Sequence, residues 1–252
     1  MVEPITAVAL AGIPEARAGD DPAELIAAAM PTGRPLARDV VVVAHKLISK
    51  AEGRTRRLSE IVPGGRAREL AGRLGKDPRH VQAVLDETRE VRRAQRGVLI
   101  SVTHHGFVCA NAGVDASNSP DGDTLILLPV DPDASARRLR DGLRARLGVA
   151  PAVVVTDSFG RAWRTGQCDV AIGCAGLRPL EDWRGLADAR GRELRATVIA
   201  VADELAAAAD LARAKDAMQP VVLVGGAGRH VTEADGPGVG ALLRDASQDL
   251  FR

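Results

Sequence analysis

Aromatic side chains are scarce: two tryptophans, three phenylalanines and no tyrosine, 2% of 252 residues. The stacking platforms on which single-stranded nucleic acids lie are therefore nearly absent. Cysteine is equally sparse, with Cys109, Cys168 and Cys174 and no C-x-x-C pair. An odd, scattered set argues against a disulfide framework or a zinc site and fits a reducing cytoplasm. Charge of one sign is missing too, since 34 basic and 33 acidic residues leave a net charge of +1. No global field draws the chain to nucleic acid or to an anionic membrane, so any anion site must be local. No apolar run approaches the ~20 residues of a membrane helix, and the first residues lack a basic segment followed by a long apolar core. These features predict a soluble cytoplasmic protein. No G-x-G-x-x-G opens a strand-helix-strand unit, and the glycines at 225–228 are not followed by Gly-Lys-Ser, so neither a dinucleotide fingerprint nor a P-loop is present.

Strand and helix signals do alternate. Strands are predicted over 5–10, 39–44, 97–102, 125–128, 153–155, 194–201 and 220–224. Asp21-Pro22 and Asp131-Pro132 each place a cap before a proline at a first helical position, opening helices over 23–30 and to about Leu147. Arg137, Arg138, Arg140, Arg144 and Arg146 on the second helix are expected mostly to face solvent. The stretch 59–93 reads as helical, with Val81, Val84, Leu85 and Val91 on one face of a helix opened by Asp77-Pro78. An alanine-rich helix follows Ala202-Asp203-Glu204, whose acids suit its N-terminus, and residues 238–251 read as an amphipathic helix. The alternation predicts an α/β (mixed α+β) fold, mixed sheets with flanking helices, as one unit over 1–252 or as two lobes. No repeat, low-complexity linker or composition break divides the chain.

The stretch 153–176 is the chemical centre. Three valines reach Thr156-Asp157-Ser158, expected at the C-terminal end of a buried strand, where open α/β sheets place ligands. A carboxylate beside a hydroxyl suits a hard cation such as Mg²⁺. Arg161 and Arg164 follow in an expected loop, and their planar guanidinium groups suit carboxylate or phosphate oxygens. The alternative is a polar turn with two solvated arginines. After the second strand, His45, Lys46, Lys50 and Arg54 form a dense cationic loop suited to phosphate, or a solvated charged hairpin. The turn Ala11-Gly12-Ile13-Pro14 can approach a ligand closely or simply end a strand. Asp115 and Asn118 can address a metal and a nucleobase or ribose, although such residues also make turns. His104 and His105 point to opposite sides of an extended chain and read as structural.

Taken together these motifs resemble the coenzyme F420-0:L-glutamate ligase family, the F420 γ-glutamyl ligases. The resemblance runs through Gly12-Ile13-Pro14 and the segments 41–54, 111–118, 127–136, 156–177 and 201–211, in the family's order. It implies a homodimeric enzyme that couples GTP hydrolysis to addition of L-glutamate to F420-0, through an acyl phosphate, with Mg²⁺ or Mn²⁺ and potassium. By position it assigns GTP contacts to Ala11, Gly12, Ile13, Pro14, His45, Lys46, Lys50 and Asn118, and metal ligation to Asp115, Asp157 and Ser158, the last threonine in most members. Arg161 and Arg164 would hold phosphates or the substrate's acidic tail. A further metal ligand of the family falls near Lys215, whose ammonium cannot coordinate. The number of glutamates added is left open. Rival readings are another metal-dependent phosphotransferase or acid–amine ligase, and a non-catalytic nucleotide-binding protein.

Overall fold

A computed structural model describes residues 3–117, 122–214 and 216–249. The chain opens with β1 (Thr6–Ala9) and α1 (Pro22–Ala29), where Asp21 accepts the Ala23 N–H as cap. β2 (Val40–Ala44) runs directly into α2 (His45–Ala51), so the expected cationic loop is a short helix. Then come β3 (Thr55–Arg57), α3 (Gly65–Leu74), α4 (Pro78–Asp86), β4 (Thr88–Gln95), β5 (Val98–Thr103) and β6 (Val108–Ala110). β7 (Thr124–Ile126) precedes α5 (Pro132–Leu147), which Asp131 caps and Gly148 closes in the left-handed conformation. β8 (Ala152–Arg161) and β9 (Arg164–Ala175) form a hairpin, followed by the ribbon strands β10 (Glu181–Asp182) and β11 (Val198–Ile199). α6 (Val201–Ala212) and β12 (Val221–Gly225) complete the regular elements.

Valine explains the main sheet, whose order is β1-β12-β2-β8-β9 with β2 and β8 parallel and the other pairs antiparallel. Val40 to Val43 and Val153 to Val155 are wholly buried. β-branched side chains suit strands covered on both faces, and burying each is worth about 1.5–3 kcal/mol. α5 packs on β8 and β9 and against α1, while α6 crosses β9, β8, β12 and β1. The approach of α5 requires Gly173, because a Cβ there would lie 2.4 Å from the Pro132 carbonyl oxygen. The mixed α/β architecture expected from the alternation is the one observed.

One unequal length shapes everything downstream. β2 pairs with β8 only from Val40↔Ala152 to Ala44↔Thr156, then turns into α2. β8 continues to Arg161, paired with β9 alone, so the sheet has a step beside Asp157 and Ser158. These two residues therefore sit within a strand and not at its end, and the expected arginine loop is a β-hairpin tip. β9 is irregular twice: its register shifts between Gly160 and Arg161, and again between Val155 and Thr156, where Ile172 is the extra residue. Next to that second bulge, Asp203 of α6 accepts the Ala171 N–H at 2.9 Å. A bulge frees ladder groups, and an acceptor reaching in from a helix holds this one in place.

A second core gathers Ile61, Val84, Leu99, Val114, Leu125 and Leu127 beside the antiparallel sheet β4-β5-β6. Here the helix expected to reach Arg93 ends at Asp86, and Thr88 begins a strand that carries Val91 into this core. Val91 joins Val84 there from a strand, while Val81 and Leu85, expected on the same face, pack in a separate cluster with Leu70 and Ala71. Arg140, expected among solvated arginines, is 3% exposed; it donates to the carbonyls of Pro151, Thr232 and Glu233 and to Asp235. Residues 238–249 form short 3₁₀ turns, Val239–Leu242 and Ala246–Gln248, where a helix was expected, because Asp133 takes the Val239 N–H and Asp245 caps the second turn. The strand expected over 194–201 shrinks to β11, within a ribbon held by Trp183 N–H to Thr197 O and Gly185 N–H to Leu194 O.

Burial raises the Asp203 carboxyl above its ordinary range, with the Ala171 bond working against that shift. A raised folded value means that Asp203 favours folding below the ordinary carboxylate range and opposes it as pH rises through the folded value. Asp203→Asn keeps an acceptor for Ala171 and removes the buried charge, so stability at pH 7 should stay within about 1 kcal/mol of the parent, with loss of the helix-end charge as the opposing effect. Asp203→Leu should lose about 1–3 kcal/mol by orphaning the N–H. Urea unfolding distinguishes the two, and an Asn variant as unstable as the Leu variant would contradict the role given to the bond.

Candidate active site

The step in the sheet opens into a cavity of about 470 Å³. Its walls come from four places: the 13–16 turn, the start of α2, the overhanging part of β8 with β9, and the segment that follows α6. Ile13, Pro14, His45, Lys46, Lys50, Asp157 and Ser158, all assigned from sequence, line it. Ala11 and Gly12 precede the lining segment, and Gly12 turns the chain toward it with φ 80°. A positive φ at that corner is where glycine costs least.

Helical spacing sets the cations. Lys46 and Lys50 are four residues apart, as are His45 and Ser49, so each pair shares a face of α2. His45 Nδ1 lies 3.1 Å from Ser49 Oγ, which orients a ring only 2% exposed. Its Nε2 lies 3.4 Å from Asp157 Oδ1 without hydrogen-bond geometry, and it is buried with no such partner. Lys50 pairs with Glu15 across the mouth of the turn. Lys46 donates to Asp115 Oδ2 at 2.6 Å and to Ser117 Oγ at 2.7 Å. Asp115 does not line the cavity; a backbone bridge to Ile126 fixes it, and Lys46 links it to the wall. Burial works to raise the Asp115 carboxyl, yet the Lys46 bond and then the Ser117 N–H outweigh burial and hold it below its ordinary value.

Three residues of the wall carried no role in the sequence reading. Thr156 Oγ donates to Asp169 Oδ2 at 2.8 Å, Ser158 Oγ donates to Asp169 Oδ1 at 2.7 Å, and Arg213 donates to both Asp169 Oδ2 and Thr156 Oγ. Asp169 stands opposite Ser158 because of the bulge near the hairpin tip. Continuing the Arg161↔Arg164 register unbroken would have placed Gln167 there. The only hint in the sequence is the alternation Asp169, Ala171 along the strand, which does not reveal a bulge.

Arg161 and Arg164 lie outside the cavity wall, exposed on the hairpin tip beside Trp163, which is 81% exposed. Arg161 donates to the Thr165 carbonyl at 3.2 Å. Asn118 and Lys215 fall outside the described residues. Among the described residues no three His, Cys, Asp or Glu side chains group as a metal cage. Cys109 is no nucleophile: burial, and then the nearby Asp157 charge, push its thiol up to about 12. His104 and His105 bond to the carbonyls of Asp86, Pro129 and Val130, in the structural role expected.

The family model described as F420-0:Gamma-glutamyl ligase matches residues 12–226, which contain every cavity residue. The chain belongs to that family. Curated proteins named coenzyme F420:L-glutamate ligase are similar along nearly all of it. The one from Haloarcula marismortui is 45% identical over 251 residues, 97% of this chain and 94% of that protein. Those from Methanothermobacter thermautotrophicus and Methanopyrus kandleri are 43% and 45% identical, covering 98% and 94% of this chain and 99% and 93% of theirs. The F420-0:γ-glutamyl ligase family is one of enzymes, and this chain is a ligase. No helix among its described residues is long and apolar enough to cross a membrane.

The Lys46–Asp115 contact is open to direct test. A lowered carboxylate adds stability that is present above the ordinary carboxylate range and lost as pH falls through the folded value. Lys46→Met removes the largest lowering influence and leaves burial opposed only by the Ser117 bonds, so Asp115 should titrate higher than in the parent. Carbon-detected NMR titration of the Asp115 carboxyl reads this, and an unchanged midpoint would show that Lys46 is not what holds it down.

Proposed function

We propose that the protein is a GTP-dependent F420-0:L-glutamate ligase and that the cavity at the sheet step is where the phosphates react. One observation carries this: His45, Lys46 and Lys50 on one wall face Asp157 and Ser158 on the other, inside the region the family model spans. Forming an amide from a carboxylate requires a better leaving group than hydroxide. In this reading the terminal carboxylate of F420-0 attacks the γ-phosphorus of GTP, the bond to the β-phosphate oxygen breaks, and an acyl phosphate and GDP form. The amine of L-glutamate then attacks the acyl carbon, and phosphate leaves with the C–O electron pair. Repetition is chemically open, because the product ends in a carboxylate of the added glutamate.

The residues divide the work by charge. Lys50 and Lys46 hold phosphate oxygens, and His45 donates from Nε2 to an oxygen that reaches the wall. Asp157 and Ser158 supply hard oxygen donors that suit Mg²⁺ or Mn²⁺; Asp115, assigned as a third by the resemblance, lies behind Lys46 and would have to exchange that partner for the cation. A ready-made cage is not needed, since Mg²⁺ is commonly bound by one or two carboxylates together with substrate phosphates. When bound, the cation would offset the charge developing on the transferred phosphoryl group. Arg161 stands three residues beyond Ser158 along β8, on the order of 10 Å, where with Arg164 it meets the acidic tail of a long substrate. Asn118 is assigned to the nucleoside. A homodimer is part of the proposal: the β10–β11 ribbon, exposing Leu186 and Val198, is the kind of two-stranded piece that is marginal without a partner surface.

Incubation of the purified protein with F420-0, L-glutamate, GTP and Mn²⁺, followed by mass spectrometry, should show F420-0 extended by glutamyl units and GDP released in step. In the same assay Arg164→Lys should raise the KM for F420-0 more than that for GTP, because lysine keeps the charge and loses the planar fork. GTP turnover that ignores F420-0 and glutamate would overturn the reading.

A further inference from the structure

The Asp169–Arg213 pair is almost entirely out of water, with the two side chains 4% and 9% exposed. A buried pair of this kind contributes little to stability after its desolvation cost, so its position against the cavity asks for another explanation. Hydrogen-bond chemistry supplies one. An ionised carboxylate can only accept, and a hydroxyl has a single proton to give. Because Ser158 Oγ reaches Asp169 Oδ1 at 2.7 Å, the serine proton is committed to Asp169. Whatever else meets Ser158 Oγ must then be a donor or a cation. The other carboxylate oxygen, Oδ2, is held by Thr156 and Arg213, which fixes the plane of the carboxylate.

We propose that Asp169, clamped by Arg213 and Thr156, is a positioning residue that turns Ser158 Oγ into an oriented oxygen ligand for a hard divalent cation. This deepens the ligase reading and rests on it for the cation's purpose. Asp169 acts through Ser158 and not by its own charge, which the Arg213 guanidinium beside it offsets. Outer partners of this kind orient a ligand and typically change metal affinity 10–100-fold when removed.

The test is binding of Mn²⁺ alone, by calorimetry and by loss of the free-ion electron resonance signal, on the whole protein without nucleotide. Asp169→Asn should weaken Mn²⁺ by ~10-fold or more, and Ser158→Ala should weaken it to a similar degree. The double variant should be no weaker than Ser158→Ala, because the route through the hydroxyl is already cut. Thermal melts show which variants fold. If Asp169→Asn does not, Arg213→Lys takes its place in the same cycle, with a smaller loss that again vanishes in the Ser158→Ala background. Unchanged Mn²⁺ affinity, losses that add in full, or a parent that binds no Mn²⁺ would each overturn the proposal. Failure of the ligase reading looks different: Mn²⁺ binds with the expected couplings, yet no glutamylated product forms.

Discussion

The arrangement depends on one strand outrunning its neighbour. β2 stops pairing at Ala44 while β8 runs on to Arg161, and the gap so created is the cavity. Had β2 continued, its backbone would cover the flank of Asp157 and Ser158. Instead the chain turns at Ala44 into α2, which brings His45 and Lys46 to the vacated flank with no linker between strand and helix. The rigid part of the wall is thus the valine sheet itself. Side chains mounted on such a strand are held more firmly than side chains on a loop.

Charge in the cavity is organised as pairs. Glu15 faces Lys50, Asp115 faces Lys46, and Asp169 faces Arg213, each already matched within the chain. Each pair is neutral in itself, so in the proposed reading a polyanion is received by exchange of partners and not by net charge. A nucleotide entering would exchange internal ion pairs for phosphate contacts, so lysines are kept in place beforehand and much of their ordering cost is met by the fold. His45 Nε2 is a buried nitrogen without a hydrogen bond beside Asp157; of the five such side-chain atoms among the described residues, it alone belongs to a residue of the cavity wall.

Much of this was legible in the sequence, and the misses share a cause. Valine runs disclosed β2, β8 and β12, and Asp-Pro pairs disclosed the starts of α1, α4 and α5. His45, Lys46, Lys50, Asp157 and Ser158, singled out because cations or a carboxylate followed buried runs, line one cavity. Asp169 and Arg213 were not, since their meeting depends on a β-bulge and on where α6 ends, neither of which has a local signature. Arg140 was misread because helical spacing does not disclose that carbonyls from 151 and 232–233 would converge on one position of α5. The turn from α4 into β4 escaped notice for a related reason: no glycine or proline marks it.

The central claim is that the step in the sheet is the nucleotide site. A crystal structure with a non-hydrolysable GTP analogue and Mn²⁺ tests it most directly. The account requires the phosphates in the gap between α2 and the overhang of β8, within hydrogen-bonding distance of Lys50 and His45, with the cation on Asp157 and Ser158. Phosphates bound elsewhere, at the smaller cavity beside Glu52 and Arg138 or on the hairpin tip, would contradict it.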